Sequence, residues 1–380
     1  MSAASANTST SGATATAAVM PGPADGAHVG RDCELREIPL PDLEPDSALL
    51  KVEFSEVCGT DVHLRDGRLA GVPYPIIPGH VSVGLLDKIR GTITDVYGQP
   101  LSEGDRVTFL DVHKTCNRCW YCLVAKASTR CPQRKVYGIT YGLDDGLTGG
   151  WADHVYLKPG VRCIRMDGVP SETFMAGGCS LPTAMHAVER GDVTFGDTVL
   201  VLGAGPIGLS AVAFSTLRGA AKVLCIGAPS DRLACARAMG ADDALDFTTM
   251  PESERRDWVR GMTGGRGADV TIECTGVPEA VTQAMRFTRD AGRVVVVGQY
   301  TDHGETSFNP HTDLNRKHLD VRGCWGSDYS HFHRSIEMLR TERAAALWSN
   351  IKPRRYPLAE VNEALAAVAA GEVVKALIVP

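Results

Sequence analysis

From about Glu34 to Asp111 the chain alternates apolar and polar positions in short runs, "ALLKVEFSEV", "GLLDKIRGTITDV" and "DRVTFLDV", each broken by Gly or Pro. Alternation with a period of two predicts half-buried strands, and so an all-β or barrel-like unit. Near Pro182 the texture changes. "TAMHAVERG" has helical spacing, and "DTVLVLGAGPIGLSAVAFSTLRGA" runs from a buried strand through a Gly-rich turn into an apolar helix. "AKVLCIG", "ADVTIECTG" and "GRVVVVGQY" are further buried strands, separated by helical "DRLACARAMGA" and "PEAVTQAMRFTRDA". Strands alternating with helices predict a parallel, doubly wound sheet. Beyond Trp325 the pattern predicts helices around Ser335 to Glu342 and at "LAEVNEALAAVAAGE", then a closing strand "KALIVP". There is no internal repeat.

Composition narrows this picture without changing it. The 380 residues are 44% hydrophobic and 22% charged, a soluble globular balance with length for two domains. A net charge of -6 gives no reason to expect nucleic acid or an anionic membrane as partner, and no apolar run approaches the roughly 20 residues that cross a bilayer. The opening "MSAASANTSTSGATATAAVMPGPADGA" lacks basic residues before Arg31, so it reads as a disordered low-complexity tail over residues 1–30, not a targeting peptide. A cytoplasmic location follows as the expectation. In a reducing compartment the twelve cysteines are expected as thiols or metal ligands, not disulfides.

Within "GAGPIG", Gly203, Gly205 and Gly208 form G-x-G-x-x-G between strand and helix, with Pro206 and Ile207 opening the helix. The glycines permit a tight turn, close approach of a pyrophosphate and close helix–strand packing, and the helix N-terminus attracts phosphate. The motif alone is weak; in strand–turn–helix context it points to a dinucleotide. The next strand ends at Gly227 with no carboxylate to repel a 2'-phosphate, and Ser230 and Arg232 follow closely. Those residues favour NADP over NAD, with Asp231 the feature that would favour NAD.

"CNRCWYC" and Cys131 supply Cys116, Cys119, Cys122 and Cys131, which suit a closed tetrahedral Cys₄ zinc site of structural kind. Lys114, Arg118, Lys126 and Arg130 interleave to offset thiolate charge. A second set is scattered: Cys58, Thr60, Asp61 and His63 in "EVCGTDVH", His80 in "PIIPGH" and Cys179 in "GGCSLPTAMHA". Cys₂His is one of the recognised ligand sets for an open catalytic zinc. Singly, each of these residues reads as an ordinary core thiol or surface histidine. "HFH" at His331 to His333 reads as surface residues, because two imidazoles two apart on a helix do not share a face.

Taken in order, "CGTDVH", "PGH", "GDRV", the four-cysteine lobe, "GGWADHV", "GCSLPTAMHA", "GAGPIG", "GRGADVTIECTG" and "KALIVP" resemble the zinc-dependent alcohol dehydrogenases of the medium-chain dehydrogenase/reductase superfamily. The resemblance covers nearly everything from Arg31 onward. It implies an α/β protein with a GroES-like β-rich catalytic domain at residues 31–181 and 327–380, a zinc lobe at 113–132, and a Rossmann domain at 182–326. The active-site cleft is expected where the two domains meet.

Carried over by position, Cys58, His80 and Cys179 are the implied ligands of a catalytic zinc, making two zinc ions per chain. Asp61 is expected to hydrogen-bond a ligating imidazole. Thr60 and His63 match a proton relay that runs from a zinc-polarised alcohol through the cofactor ribose to solvent. Lys375 matches a basic position that contacts the cofactor pyrophosphate. The resemblance also implies a homodimer or homotetramer and a small-molecule alcohol or carbonyl substrate. In one departure, Val81 stands where the family usually has a glutamate that serves as an alternative zinc ligand. Two other readings stay open: an NADPH-dependent reductase of a carbonyl or activated alkene, and a non-catalytic zinc scaffold.

Overall fold

A computed structural model describes residues 12–24 and 30–380, which divide into two compact units: one ending at Asp167 and resuming at Arg354, the other spanning Gly168–Pro353.

In the first unit a seven-stranded sheet runs in the order Arg354–Pro357, Ala376–Val379, Ser47–Val57, Ser82–Arg90, Arg106–Phe109 and Cys163–Arg165, with His154–Leu157 also pairing along Ser47–Val57. Every pairing is antiparallel except that between Arg354–Pro357 and Ala376–Val379. The long strand Ser47–Val57 is the spine. Its apolar positions Ala48, Leu50 and Val52 pack with Leu86, Val107, Phe109, Val155 and Leu157, which is the burial the alternating pattern predicts. A second cluster under the strand's far end joins Val57, Leu64, Ile76, Trp151, Leu365 and Ile378.

The expectation of a disordered tail is corrected over the residues that are described; 1–11 and 25–29 lie outside them. Thr14–Val19 is a strand paired antiparallel with Glu34–Pro39. Ala15, Ala17, Ala18, Val19 and Met20 are all buried. The Ala18 and Met20 amides donate to the carbonyls of Trp151 and Ile76, each at 2.8 Å. Alanine carries too little apolar surface to stand out in a hydropathy pattern. Ala15, Ala17 and Val19 nevertheless join Leu49, Ile77 and Tyr156 in one buried cluster, and Ala18 and Met20 join Ile76 and Trp151 in another.

The second unit carries a six-stranded, all-parallel sheet. Its order is Asp243–Asp246, Lys222–Gly227, Thr198–Leu202, Ala268–Glu273, Thr288–Val296, Asp320–Gly323. Numbered along this unit, that is 3-2-1-4-5-6, the doubly wound arrangement of dinucleotide-binding domains, with its topological switch beside Thr198–Leu202. The strand containing "RVVVV" is therefore interior, and the two edges are Asp243–Asp246 and Asp320–Gly323.

The observed division differs from the one expected at 181/182 and 326/327. Helices Ser171–Gly177, Ser180–Arg190, Tyr329–Leu339 and Glu342–Trp348 all belong to the second unit. Packing explains this: the buried Trp348 indole donates to Ser210 Oγ at 3.2 Å and sits against Phe214, while Phe332 meets Phe174 edge-on. The surface reading of "HFH" is corrected too. His331 is buried, its Nδ1 3.0 Å from Asp328 Oδ1 and its Nε2 3.4 Å from Glu189 Oε2; His333 stacks on Tyr329.

Candidate metal centres and nucleotide turn

Cys58 ends the spine strand in extended conformation and caps the short helix Gly59–Arg65. Asp61 fixes that turn, because its Oδ2 accepts the Cys58 amide at 2.9 Å. Thr60 and His63, three apart on the helix, share a face and are both half-buried. His80 arrives from the neighbouring strand's approach through Gly79, whose φ of +89° suits glycine. A Cβ at Gly79 would also lie 2.5 Å from Ser55 Oγ and 2.6 Å from the Trp151 ring.

These elements bring three donors together. Cys58 Sγ lies 4.0 Å from His80 Nε2, Glu56 Oε1 lies 3.7 Å from the same nitrogen, and the ligand atoms of the three all lie within 4.8 Å of one another. On its other side, His80 Nδ1 faces Asp61 Oδ1 at 4.0 Å, and neither atom has another hydrogen-bond partner. The expected Asp61–imidazole hydrogen bond is thus not formed, although the two atoms face each other.

Sequence reasoning missed Glu56, although a signal was present. In extended chain, residues two apart point the same way, so Glu56 and Cys58 share a side. Lys375 was expected at the cofactor pyrophosphate, and its ammonium is instead held by Glu56. Lys375 is buried at 1% exposure, precedes the interior strand Ala376–Val379, and its Nζ donates to Glu56 Oε2 at 2.6 Å.

The electrostatics fit a cation. Burial opposes charge on the His80 ring and is the largest influence, but Cys58, then Asp61 and Glu56, outweigh it and raise the pKa to about 10. Burial, followed by the Cys58 charge, pushes Asp61 well above the usual carboxylate range. Donors that would hold a proton on a buried imidazole equally favour a metal ion set among them. Cys179 lies in the second unit, half-buried, at the start of helix Ser180–Arg190.

The four-cysteine lobe is built differently. Cys116, Cys119, Cys122 and Cys131 come from one loop, with helix Trp120–Leu123 and a 3₁₀ turn Ser128–Arg130 between them. All four sulfurs lie within 4.8 Å of one another, with Cys119 and Cys122 3.5 Å apart. A tetrahedral zinc at about 2.3 Å from each sulfur would set them about 3.8 Å apart, so the loop fits the ion. The Arg118 amide is the main cause lowering the Cys116 thiol to about 6, whereas desolvation is the main cause raising Cys122 to about 12.

At the dinucleotide turn Gly203 has φ +107°, and a Cβ on Gly208 would lie 1.9 Å from the Gly203 carbonyl. A Cβ on Gly205, by contrast, would meet nothing within 4 Å, which leaves that side open for a ligand. Helix Pro206–Leu217 begins at Gly205 with no side chain capping its first amides, and Ile207 is half-buried in that first turn. Gly227 packs against Ala204, and just beyond it Ser230 and Asp231 are exposed and Arg232 half-buried.

With this geometry in hand, comparison with known proteins is informative. Residues 44–168 match the alcohol dehydrogenase GroES-like domain, and residues 206–341 match the zinc-binding dehydrogenase domain. A 5-exo-hydroxycamphor dehydrogenase of Pseudomonas putida is 30% identical over 348 residues, covering 91% of this chain and 95% of that protein. An alcohol dehydrogenase structure from Thermotoga maritima superposes with a TM-score of 0.90 at 31% identity, over 97% of this chain and 100% of that one. A zinc-binding dehydrogenase from Sinorhizobium meliloti, solved bound to NADP, gives 0.79 at 26% identity over 97% and 100%.

Fold and motifs together define an oxidoreductase of the dehydrogenase class, a GroES-like unit joined to a Rossmann unit. The chain belongs to the zinc-dependent alcohol dehydrogenases of the medium-chain dehydrogenase/reductase superfamily.

Proposed function

We propose that the protein is a zinc-dependent alcohol dehydrogenase that moves hydride between a small polar or secondary alcohol, or its aldehyde or ketone, and a nicotinamide cofactor, NADP in preference to NAD. The observation that carries this reading is the buried convergence of Cys58 Sγ and His80 Nε2, with a helix bearing Thr60 and His63 starting at Cys58 itself. Cys179 is the third ligand in this reading, and the cysteine lobe holds a second, structural zinc.

Zinc held at Cys58 and His80 would lower the pKa of a substrate hydroxyl, and the nicotinamide would supply the hydride acceptor. The chain's own residues do the rest. His80 presents Nε2 to the metal because Asp61 faces Nδ1 and favours the tautomer with its proton there. The Thr60 hydroxyl takes the substrate proton, and His63, on the same helix face, carries it toward solvent. Backbone amides at the start of Pro206–Leu217 bind the pyrophosphate, and Ser230 and Arg232 take the 2'-phosphate.

Association through the edge strand Asp320–Gly323, giving a homodimer or homotetramer, belongs to the same proposal, as does a cytoplasmic location. Among the described residues no helix is long and apolar enough to cross a membrane.

The test is cofactor reduction by purified protein against a panel of alcohols, with NAD and NADP in parallel, alongside metal analysis. Turnover and two zinc ions per chain are expected. A protein that holds one zinc, retained by the lobe alone, and reduces neither cofactor would be a scaffold instead.

A further inference from the structure

Glu56 is the donor at this cluster that no motif accounts for. It is fully buried on the spine strand, and its two carboxylate oxygens face different groups. Oε2 takes the Lys375 ammonium at 2.6 Å, while Oε1 lies 3.7 Å from His80 Nε2. Its ligand oxygen sits within 4.8 Å of both Cys58 Sγ and the His80 nitrogen, the spacing of donors around one ion. The position is well fixed. The Glu56 amide donates to the Val81 carbonyl at 3.1 Å, and its own carbonyl accepts the Trp151 indole N–H at 2.9 Å.

A carboxylate would not be stable here on packing grounds alone, because burying a charge is costly unless it is paired. Lys375 pairs it, and the two cancel. The cluster's thiolate charge is thus left to balance a divalent ion, while one carboxylate oxygen stays directed at the place that ion would take. Val81, adjacent across the sheet and buried, offers no donor of its own.

We propose that Glu56 is a further protein ligand of the metal at this cluster: anchored by Lys375, its Oε1 fills the coordination position that a substrate oxygen takes during turnover. The inference rests on the zinc reading above. It assigns to Glu56 and Lys375 a joint role, closing the site when no substrate is bound and limiting metal loss.

The test uses the full-length protein with zinc in the lobe and Co²⁺ at the cluster, comparing wild type, Glu56→Gln, and the double variant Glu56→Gln/Lys375→Met. The double variant removes both charges, so it avoids a lone buried ammonium and guards against a simple folding failure. Both variants are expected to shift the visible d–d bands of Co²⁺ and to release metal to a chelator about 10–100-fold faster, the scale on which ligand-supporting groups act. Bands and release rates equal to wild type in a folded double variant overturn the proposal and leave the zinc reading standing. A wild-type protein that takes up no metal beyond the lobe overturns both.

Discussion

The two cysteine-containing centres draw on similar ligands and place them in opposite surroundings. In the lobe the donors come from one loop, and three of the four cysteines are only half-buried. Around Cys58 the donors come from a strand end and from the approach to the neighbouring strand, and Glu56, Cys58, Asp61, His80 and Lys375 are all buried. A loop that folds around four thiolates satisfies an ion completely and can do nothing further with it. A buried set of mixed donors, held by strands and balanced by an internal ion pair, leaves coordination that can change. On the proposed reading, the same chemistry at sulfur would serve stability in one place and reactivity in the other.

Substitution at each centre should separate these roles. Cys58→Ser is expected to give the largest effect: loss of one zinc per chain and a fall in kcat of about a thousandfold or more, since metal activation supplies several kcal/mol. Metal analysis should find the lobe still loaded. Cys119→Ser should do the reverse, losing the lobe metal and lowering the thermal midpoint, because structural zinc contributes folding energy directly. Retention of the cluster metal in that variant is the decisive measurement. If either substitution empties both centres, the division of labour is wrong.

His63→Ala comes next. Removal of a proton-relay group is expected to slow turnover by about a hundredfold, the lower end of general acid–base contributions. Zinc content should stay unchanged, and added imidazole should recover part of the rate. An unaltered pH–rate profile would remove His63 from the relay. Arg232→Ala acts on cofactor choice alone: KM for NADP should rise about tenfold, on the scale of one charge-assisted hydrogen bond, with KM for NAD nearly constant.

How much of this was legible beforehand depends on whether the information is local. The dinucleotide turn and the cysteine lobe are each contained in a short stretch, so spacing read in its local strand–turn–helix or loop context suggested them. Cys58 and His80 were legible through the motifs "CGTDVH" and "PGH", whose Asp61 and Gly79 set their positions. Glu56 was legible only as a same-side neighbour of Cys58; its pairing with Lys375 was not, because that residue is hundreds of residues away in sequence and only the sheet order makes them neighbours. Thr14–Val19 was missed because the interaction that orders it, pairing with Glu34–Pro39 and with the backbones of Trp151 and Ile76, leaves no trace in alanine-rich sequence. The division of the chain was misplaced because Trp348 and Phe332 look alike in sequence whichever unit they pack against.

Buried charge without a metal role provides the smallest and most discriminating contrast. In the second unit Asp328 caps helix Tyr329–Leu339, accepting the Ser330 amide at 3.0 Å, and faces the His331 ring at 3.0 Å. The hydrogen bond from His331, the largest cause, holds the Asp328 carboxyl far below the usual range despite partial burial. A carboxyl whose pKa is depressed by folding stabilises fully above its unfolded value, near 3.9, and loses that contribution as pH falls through the lower folded value. Asn caps a helix as well as Asp does, so Asp328→Asn removes the charge and keeps the cap. The cost should be about 1 kcal/mol in urea unfolding, after allowing for the group's partial exposure. That difference from wild type should close as the pH falls below the unfolded carboxyl value. Zinc content and kcat should not move. A change in either would mean that this cluster is coupled to the metal chemistry, and the contrast between structural and reactive buried charge would have to be redrawn.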